Sequence, residues 1–412
     1  MTETIAGPSL AEFEHARETV AAVARRTPME SSRHLATQLG VPVHLKCENL
    51  QRTGAYKLRG AYNRLSGLTE DERARGVVAA SAGNHAQGVA FAARELGIRA
   101  TIFMPVGVAL PKLEATKAYG AEVVLAGESF GETQQAALEF TERTDAVFIP
   151  PFDHHDVIAG QGTLGLEILE QVPDVATIVV PIGGGGLIAG VASAVKQEAA
   201  RSGRHVRVIG VQAENAAPFA ASMAAGELTD VPVVPTIADG IAVYRPGELT
   251  WQIVRDTVDD IVTVSEDDIA RAMLVLLERA KLVVEPAGAV PVAALMTGKV
   301  ASDGPVVAVL SGGNIDPLLM QRVIGHGLAA SGRYLTVRLG LPDRPGQLVR
   351  VAGLLAGTHA NVVEVLHTRH GRGMQISEVE IEISVETRGP AHREHVVDVL
   401  RKAGYDPVVL DD

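Results

Sequence analysis

Short β-branched runs, each closed by glycine or small polar residues and followed by a helical pattern, limit this chain more than any other feature. "VVAAS" (77–81) precedes "NHAQGVAFAARELG" (84–97), "ATIFMP" (100–105) precedes "PKLEATKAYG" (111–120), and "EVVLAG" (122–127) follows. Runs of about five residues without polar alternation suit strands buried on both faces, and the helices between them suit crossovers. The pattern resumes at "TIVVPIG" (177–183), "VRVIGVQ" (206–212) and "PVVAVLSGG" (305–313), each ending in or near glycine. Open parallel sheets bind ligands beyond such strand ends, so these turns point to an α/β fold with one shared crevice.

Composition narrows the partners. At 412 residues and 47% hydrophobic, the chain has material for two or three compact units of roughly 100–200 residues. A net charge of −12 with 4% aromatics argues against nucleic acid, which needs a basic face and stacking rings. The single cysteine, Cys47, excludes an internal disulfide, and the opening "MTETIAGPSLAEFEHARETV" lacks a basic n-region and an apolar h-region, so a cytoplasmic location is expected. The apolar stretch at 177–195 is broken by Pro181 and four glycines, and no membrane segment is expected.

Near "GLAASGRYL" (327–335) small residues mark a change of unit, with 328–333 expected as a linker. Beyond it the order is strand "YLTVRLGL", helix "LVRVAGLLAGTHA", strands "NVVEVLHT" and "SEVEIEISVET", helix "PAHREHVVDVLRKAG" and strand "DPVVL". That is a βαββαβ, ferredoxin-like unit. The expected division is therefore 1–327, linker 328–333, and 334–412.

Four motifs carry chemistry. Lys57 lies in "RTGAYKLRGA" (52–61), after the strand "VPVHLKCENL" (41–50), where a helix begins. It is either a solvated helix lysine or an amine that an apolar crevice keeps neutral and nucleophilic, the condition for a Schiff base. "SAGNHAQG" (81–88) opens a helix; Ser81 or Asn84 can serve as an N-cap, or the exposed N–H groups can bind a carboxylate while Asn84 donates to a phenolic oxygen. "GGGG" (183–186) lets backbone approach a phosphate closely; it lacks the GxGxxG spacing of a dinucleotide loop. In "SGGN" (311–314), Ser311 either satisfies backbone groups or hydrogen-bonds a heteroaromatic nitrogen. An amine, an anion-binding helix start, a phosphate cradle and a hydroxyl for a ring nitrogen are together what pyridoxal 5′-phosphate requires.

In this order "TGAYKLRGA", "SAGNHAQGVA", "GGGGL", "EPAGA" (285–289) and "SGGN" resemble the fold type II pyridoxal-phosphate enzymes, and most of all the threonine ammonia-lyases, over about residues 10–325. The resemblance implies a tryptophan synthase β-like fold of two open α/β subdomains. It implies that Lys57 forms the Schiff base and then removes the Cα proton, that Tyr56 flanks the cofactor, and that Asn84 bonds its phenolic oxygen. Gly183, Gly184, Gly185 and Gly186 would hold its phosphate, and Ser311 would face its ring nitrogen. Ser81, Gly83, Asn84 and His85 would surround the substrate carboxylate, with Gly240, in "ADGIAV" (238–243), and Glu285 nearby. The implied reaction is β-elimination: threonine to 2-oxobutanoate and ammonia, serine to pyruvate and ammonia.

Departures from the family pattern refine this. Ala55 and Tyr56 stand where relatives often carry serine and phenylalanine. Ala82 stands where the similar serine racemases carry a second acidic serine, which implies elimination with little racemisation. "QAENAAPFAAS" (212–222) aligns with a cation-binding loop of racemases but offers no carboxylate beyond Glu214. The pair His154–His155, read as an extended segment whose neighbours point apart, is a poor metal site, so no metal is expected.

The C-terminal unit resembles an ACT domain, through "DRPGQL" (343–348) and "AN" (360–361). That implies a small effector, an amino acid or nucleotide, bound where copies pair, and a homodimer or homotetramer; the alternative is a dimerisation module without ligand. "EVEIEISVET" (378–387) is the strand whose alternation suits such pairing. Serine racemase, 3-hydroxyaspartate dehydratase and a non-catalytic amino-acid sensor on a degenerate scaffold are the competing readings.

Overall fold

Ten strands, most of the apolar runs among them, pair into two sheets in a computed structural model that describes residues 7–369 and 377–410. They are β1 (Met29–Ser31), β2 (Val43–Cys47), β3 (Val77–Ala80), β4 (Ala100–Met104), β5 (Glu122–Leu125), β6 (Val147–Phe148), β7 (Thr177–Pro181), β8 (Arg207–Ala213), β9 (Asp260–Val264) and β10 (Val306–Leu310). One sheet has the order β5-β4-β3-β6, the other β1-β2-β10-β7-β8-β9. All their pairings are parallel except β1 with β2. Every residue of β3, β4, β7 and β10 is buried, because helices cover both faces. The α/β, two-sheet expectation holds.

The sequence order puts three turns at the carboxyl ends of strands: Ser81 follows β3, Gly183 follows β7 and Ser311 follows β10. Helices Lys57–Ser66, Asn84–Glu95 and Gly186–Arg201 begin at this same rim. Among the described residues no helix is long and apolar enough to cross a membrane.

By its internal contacts the chain divides into Met1–Pro317 and Leu318–Asp412. The expected linker at 328–333 is corrected in part: the helix Pro317–Ala330 runs through its first three residues, and Ser331 N–H still donates to Gly327 O at 3.0 Å. Alanine is the best helix former, so a small-residue stretch need not be open chain. Residues 1–6 of the expected 1–327 unit, and 370–376 and 411–412 of the expected 334–412 unit, lie outside the described residues.

The C-terminal unit reads β11 (Tyr334–Pro342), helix Gln347–Gly357, β12 (Asn361–Thr368), β13 (Glu378–Glu386), helix Pro390–Lys402 and β14 (Val408–Leu410), the expected βαββαβ order. Its sheet is antiparallel, β12-β13-β11-β14, with Leu339 opposite Ile381 and Val337 opposite Ile383 in the core. One expectation is narrowed here. β13 is bonded to β12 on one side and β11 on the other, so neither of its edges is free to add a strand, and its buried alternate residues face a helix-covered core. The outer strands are β12 and β14, and on β12 Val363, Val365 and Leu366 are exposed.

Candidate active site

One cavity of about 300 Å³ in the first unit collects Tyr56, Lys57, Ser81, Gly83, Asn84, His85, Gly183 to Gly186, Gly240, Glu285 and Ser311, that is, every residue singled out from the sequence as a cofactor or substrate candidate. The volume lies at the lower end of small-molecule sites.

Lys57 is the first residue of its helix, and the turn before it is pinned to the strand-end loop after β10. Tyr56 N–H donates to Ser311 O at 3.1 Å, Ala55 bridges Gly312, and Gly54 adopts φ +72°. A Cβ at Gly54 would lie 2.3 Å from Asn314 Oδ1, so glycine is required on both counts. The Lys57 ammonium opens onto the cavity and donates to Pro151 O at 2.7 Å. Burial pulls its amine down to about 8, against the field of Glu285. Gly88, one turn into the helix Asn84–Glu95, lets that helix close on the Lys57 backbone, where a Cβ would meet Lys57 C at 3.1 Å.

Gly83 occupies the N-cap of the helix Asn84–Glu95, and no side chain caps it. The structural alternative for Ser81 and Asn84 is thus corrected: Ser81 Oγ accepts from Gly83 N–H at 3.2 Å, while the Asn84 amide turns sideways. Asn84 Nδ2 donates to Glu285 Oε1 at 2.7 Å, and its Oδ1 accepts from Asn314 Nδ2 at 2.8 Å. His85 Nε2 lies 2.9 Å from Ile149 O as the donor, and burial with the nearby Lys57 charge pushes its imidazole down to about 3. It is neutral, and its ring nitrogen is spent on that carbonyl. What position 85 has left for an anion is its backbone N–H, one of the orphan donors of a helix start.

Glycines 183–186 follow β7, and Gly185 caps the helix Gly186–Arg201 at φ +94° without a side-chain bond. First-turn N–H groups there have no intrahelical acceptor and concentrate the positive end of the helix dipole. The reason for glycine is partly packing. A Cβ at Gly184 would enter the Phe152 ring at 2.3 Å, one at Gly186 would meet Phe152 Cβ at 2.8 Å, and one at Gly185 would meet Phe219 Cζ at 2.5 Å. Phe152, itself on the cavity wall, presses on the loop, a contact with no signal in the glycine spacing.

Ser311, 3% exposed, and the buried Glu285 complete the wall. Burial, reinforced by Asp239, raises the Glu285 carboxyl to about 7, although the Asn84 amide and the Lys112 and Lys57 charges oppose it. Lys112 and Asp239 also line the cavity and pair at 2.8 Å. Sequence reading missed Lys112 and Asn314; each is a lone polar residue until the fold brings it to Asp239 or Asn84.

At the two metal candidates, Glu214 takes the Lys299 ammonium at 3.4 Å. His154 and His155 are not in an extended segment: His154 caps the helix His155–Gln171, its Nδ1 accepting from Asp156 N–H at 3.1 Å, and His155 is that helix's first residue. No group of three or more His, Cys, Asp or Glu side chains that could hold a metal gathers among the described residues.

The family model "Pyridoxal-phosphate dependent enzyme" matches residues 20–312, and the model "ACT domain" matches residues 335–404. The chain is 49% identical to an L-threonine ammonia-lyase of Geobacter sulfurreducens, over 92% of this chain and 94% of that protein. It is 47% identical to an L-threonine ammonia-lyase of Thermotoga maritima, over 97% and 98%. Among solved structures, maize serine racemase superimposes with a TM-score of 0.73 at 37% identity, covering 78% of this chain and 98% of that one. The cavity suits the cofactor: an amine free at mildly alkaline pH, an uncapped helix start behind four glycines, a buried hydroxyl and an amide donor match an aldehyde, a phosphate, a ring nitrogen and a phenolic oxygen. This chain belongs to the pyridoxal-phosphate dependent enzymes, in the family of the L-threonine ammonia-lyases, and carries an ACT domain at its C-terminal end.

Proposed function

We propose that the chain catalyses β-elimination of L-threonine to 2-oxobutanoate and ammonia, and of L-serine to pyruvate and ammonia. The observation that carries the reading is Lys57, an amine held at about 8 on the wall of a cavity built from helix starts. When bound, pyridoxal 5′-phosphate supplies an electron sink for the pair left at the substrate Cα. Lys57 would hold the cofactor and then take the Cα proton at its Nζ, whose lowered pKa makes it free to accept a proton at mildly alkaline pH, where an ordinary lysine stays charged. The N–H groups behind Gly183 to Gly186 would hold the phosphate, and Asn84 would donate to the phenolic oxygen. Ser311 would bond the ring nitrogen through a hydroxyl that is too weak an acid to protonate it.

The start of the helix Asn84–Glu95, with Ser81 and Gly83 before it, would receive the substrate carboxylate. Tyr56 stays a phenol, since burial raises its pKa, so it packs against the site without adding charge. Ala82 puts a methyl group on the cavity wall where a hydroxyl would supply a second acid. That favours loss of the β-hydroxyl over return of a proton to the opposite face of Cα, and so elimination over racemisation.

Residues 1–327 would carry the catalytic part and 334–412, which follows the end of the helix Pro317–Ala330, the regulatory part, which takes an amino acid or nucleotide effector in a homodimer or homotetramer. A reducing, cytoplasmic setting fits the lone thiol Cys47, buried and pushed up to about 12 by that burial.

The test is direct. Purified chain with pyridoxal phosphate should show a visible absorption band and release 2-oxobutanoate from threonine. Lys57→Ala should lose the covalent band and at least about 100-fold in rate, the low end of a general base's contribution. A chain that takes up the cofactor yet releases no keto acid from threonine or serine ends the reading.

A further inference from the structure

We infer that Asp239 is a specificity-determining residue, which pairs with Lys112 and thereby denies the cavity a free cation for a second carboxylate on the substrate side chain. The inference rests on the β-elimination reading and adds which side chains the site refuses.

Lys112 belongs to the helix Leu110–Ala118 beside the four-stranded sheet, and Asp239 opens the short turn Asp239–Ile241 after the six-stranded sheet's β8. Both line the cavity, and the ammonium donates to Asp239 Oδ2 at 2.8 Å. The lysine side chain is 21% exposed and the aspartate 57%, so the pair lies at the edge of the cavity, not at its floor. Both charges nonetheless act inside it, because Asp239 raises the proton affinity of Glu285 and Lys112 lowers it.

The charges along the wall then sort themselves. Lys57 is engaged in the chemistry, and His85 is neutral with its ring nitrogen on a carbonyl. The helix start at Asn84 takes one carboxylate, the α-carboxylate common to all substrates. A substrate ending in a hydroxyl or methyl asks for no further charge. A substrate with a β-carboxylate brings a second anion towards Glu285 and Asp239, and the cation within reach, Lys112, is already neutralised by Asp239. An anion of that kind is left partly desolvated and unpaired, which is the strong form of discrimination. Removing the aspartate charge turns the same lysine into a carboxylate receptor, so this chain's preference for neutral hydroxy amino acids is set at position 239.

The experiment uses the full-length, cofactor-loaded chain as wild type, Asp239→Asn, Asp239→Ser and the double variant Asp239→Asn with Lys112→Gln. Two quantities are read: the ratio of kcat/KM for L-threo-3-hydroxyaspartate to that for L-threonine, and the inhibition constant of L-aspartate, which has no β-hydroxyl to lose, against threonine. Asp239→Asn, or Asp239→Ser should the first not fold, is expected to raise the ratio at least fivefold and tighten aspartate at least fivefold. Adding Lys112→Gln should cancel both gains. A change under fivefold in both quantities, or gains that survive loss of Lys112, overturns the inference, as does a wild type that already prefers hydroxyaspartate. Absence of threonine and serine turnover in the wild type marks failure of the underlying reading instead, and aspartate binding, followed by its effect on the visible band, still decides the role of Asp239.

Discussion

At the level of single residues the site is governed by what burial does to two titratable groups on its wall. Lys57 falls to about 8 and Glu285 rises to about 7, each limiting the other's shift. A lysine whose folded pKa is lowered is protonated below that value and free above it. Loading of cofactor-free chain with pyridoxal phosphate should therefore accelerate about tenfold per pH unit up to about pH 8 and then level off. Glu285→Gln removes an anion that favours the ammonium, so the break should move to lower pH; rapid mixing with absorbance detection checks it, and an unmoved break removes Glu285 from the electrostatics of Lys57. Lys57, Ser311 and the four glycines were legible in the sequence because each sits in a strand-turn-helix context within ten residues of itself. Lys112 and Asp239 were not paired in advance, since charged residues 127 positions apart look like ordinary solvated side chains until two elements converge. His85 was legible as a position but not as chemistry: nothing local says that its imidazole is spent on Ile149 O.

At the level of elements, parallel strands were readable because burial on both faces removes polar alternation, whereas the closeness of the helices was not. The helix His155–Gln171 contains Gly160, Gly162 and Gly165, and glycine inside a helix ordinarily costs stability. In the fold they are contact points. A Cβ at Gly160 would lie 2.6 Å from Arg59 O and 2.7 Å from Gly60 Cα, and one at Gly162 would be 2.7 Å from Gly190 O. Backbone cannot yield as a side chain can, so Gly162 and Gly165 set the spacing of this helix against Gly186–Arg201, and Gly160 sets its spacing against Lys57–Ser66. The same two helices share a buried ion network: Arg59 makes paired bonds to Glu48 at 2.9 Å and one to Glu167 at 2.9 Å, and Glu167 also holds Lys46 at 2.6 Å. Gly160→Ala should destabilise by about 1–3 kcal/mol, the cost of overpacking. The matched control is Gly131→Ala in the helix Phe130–Thr144, where a Cβ meets nothing within 4 Å, and it should be neutral or stabilising by up to about 1 kcal/mol. Urea midpoints of the two variants decide it; equal shifts would show that the helix pair relaxes at little cost.

At the level of the whole molecule, the chain divides into two units whose apolar cores are built separately. The first relies on residues around β7, β8 and β10, such as Ile178, Val208 and Val307, and around β3 and β4, such as Ile102 and Val89. The second packs Leu335, Val337 and Leu339 of β11 against Ile381 and Ile383 of β13 under two helices that supply Leu355 and Leu400. A unit with its own core can unfold on its own account, so a single melting temperature need not describe the chain. Leu339 is fully buried at the middle of that second core. Leu339→Ala should cost about 2–5 kcal/mol, the usual range for a leucine truncated in a packed core. If the two cores are independent, calorimetry of the loaded chain should show the cost in one transition alone, with threonine turnover in the absence of effectors unchanged, because none of the cavity residues belongs to the second unit. A variant in which both transitions fall together, or in which turnover falls with them, would mean that catalysis depends on the folding of the C-terminal unit itself, and regulation would then act through its stability as well as through any ligand it holds.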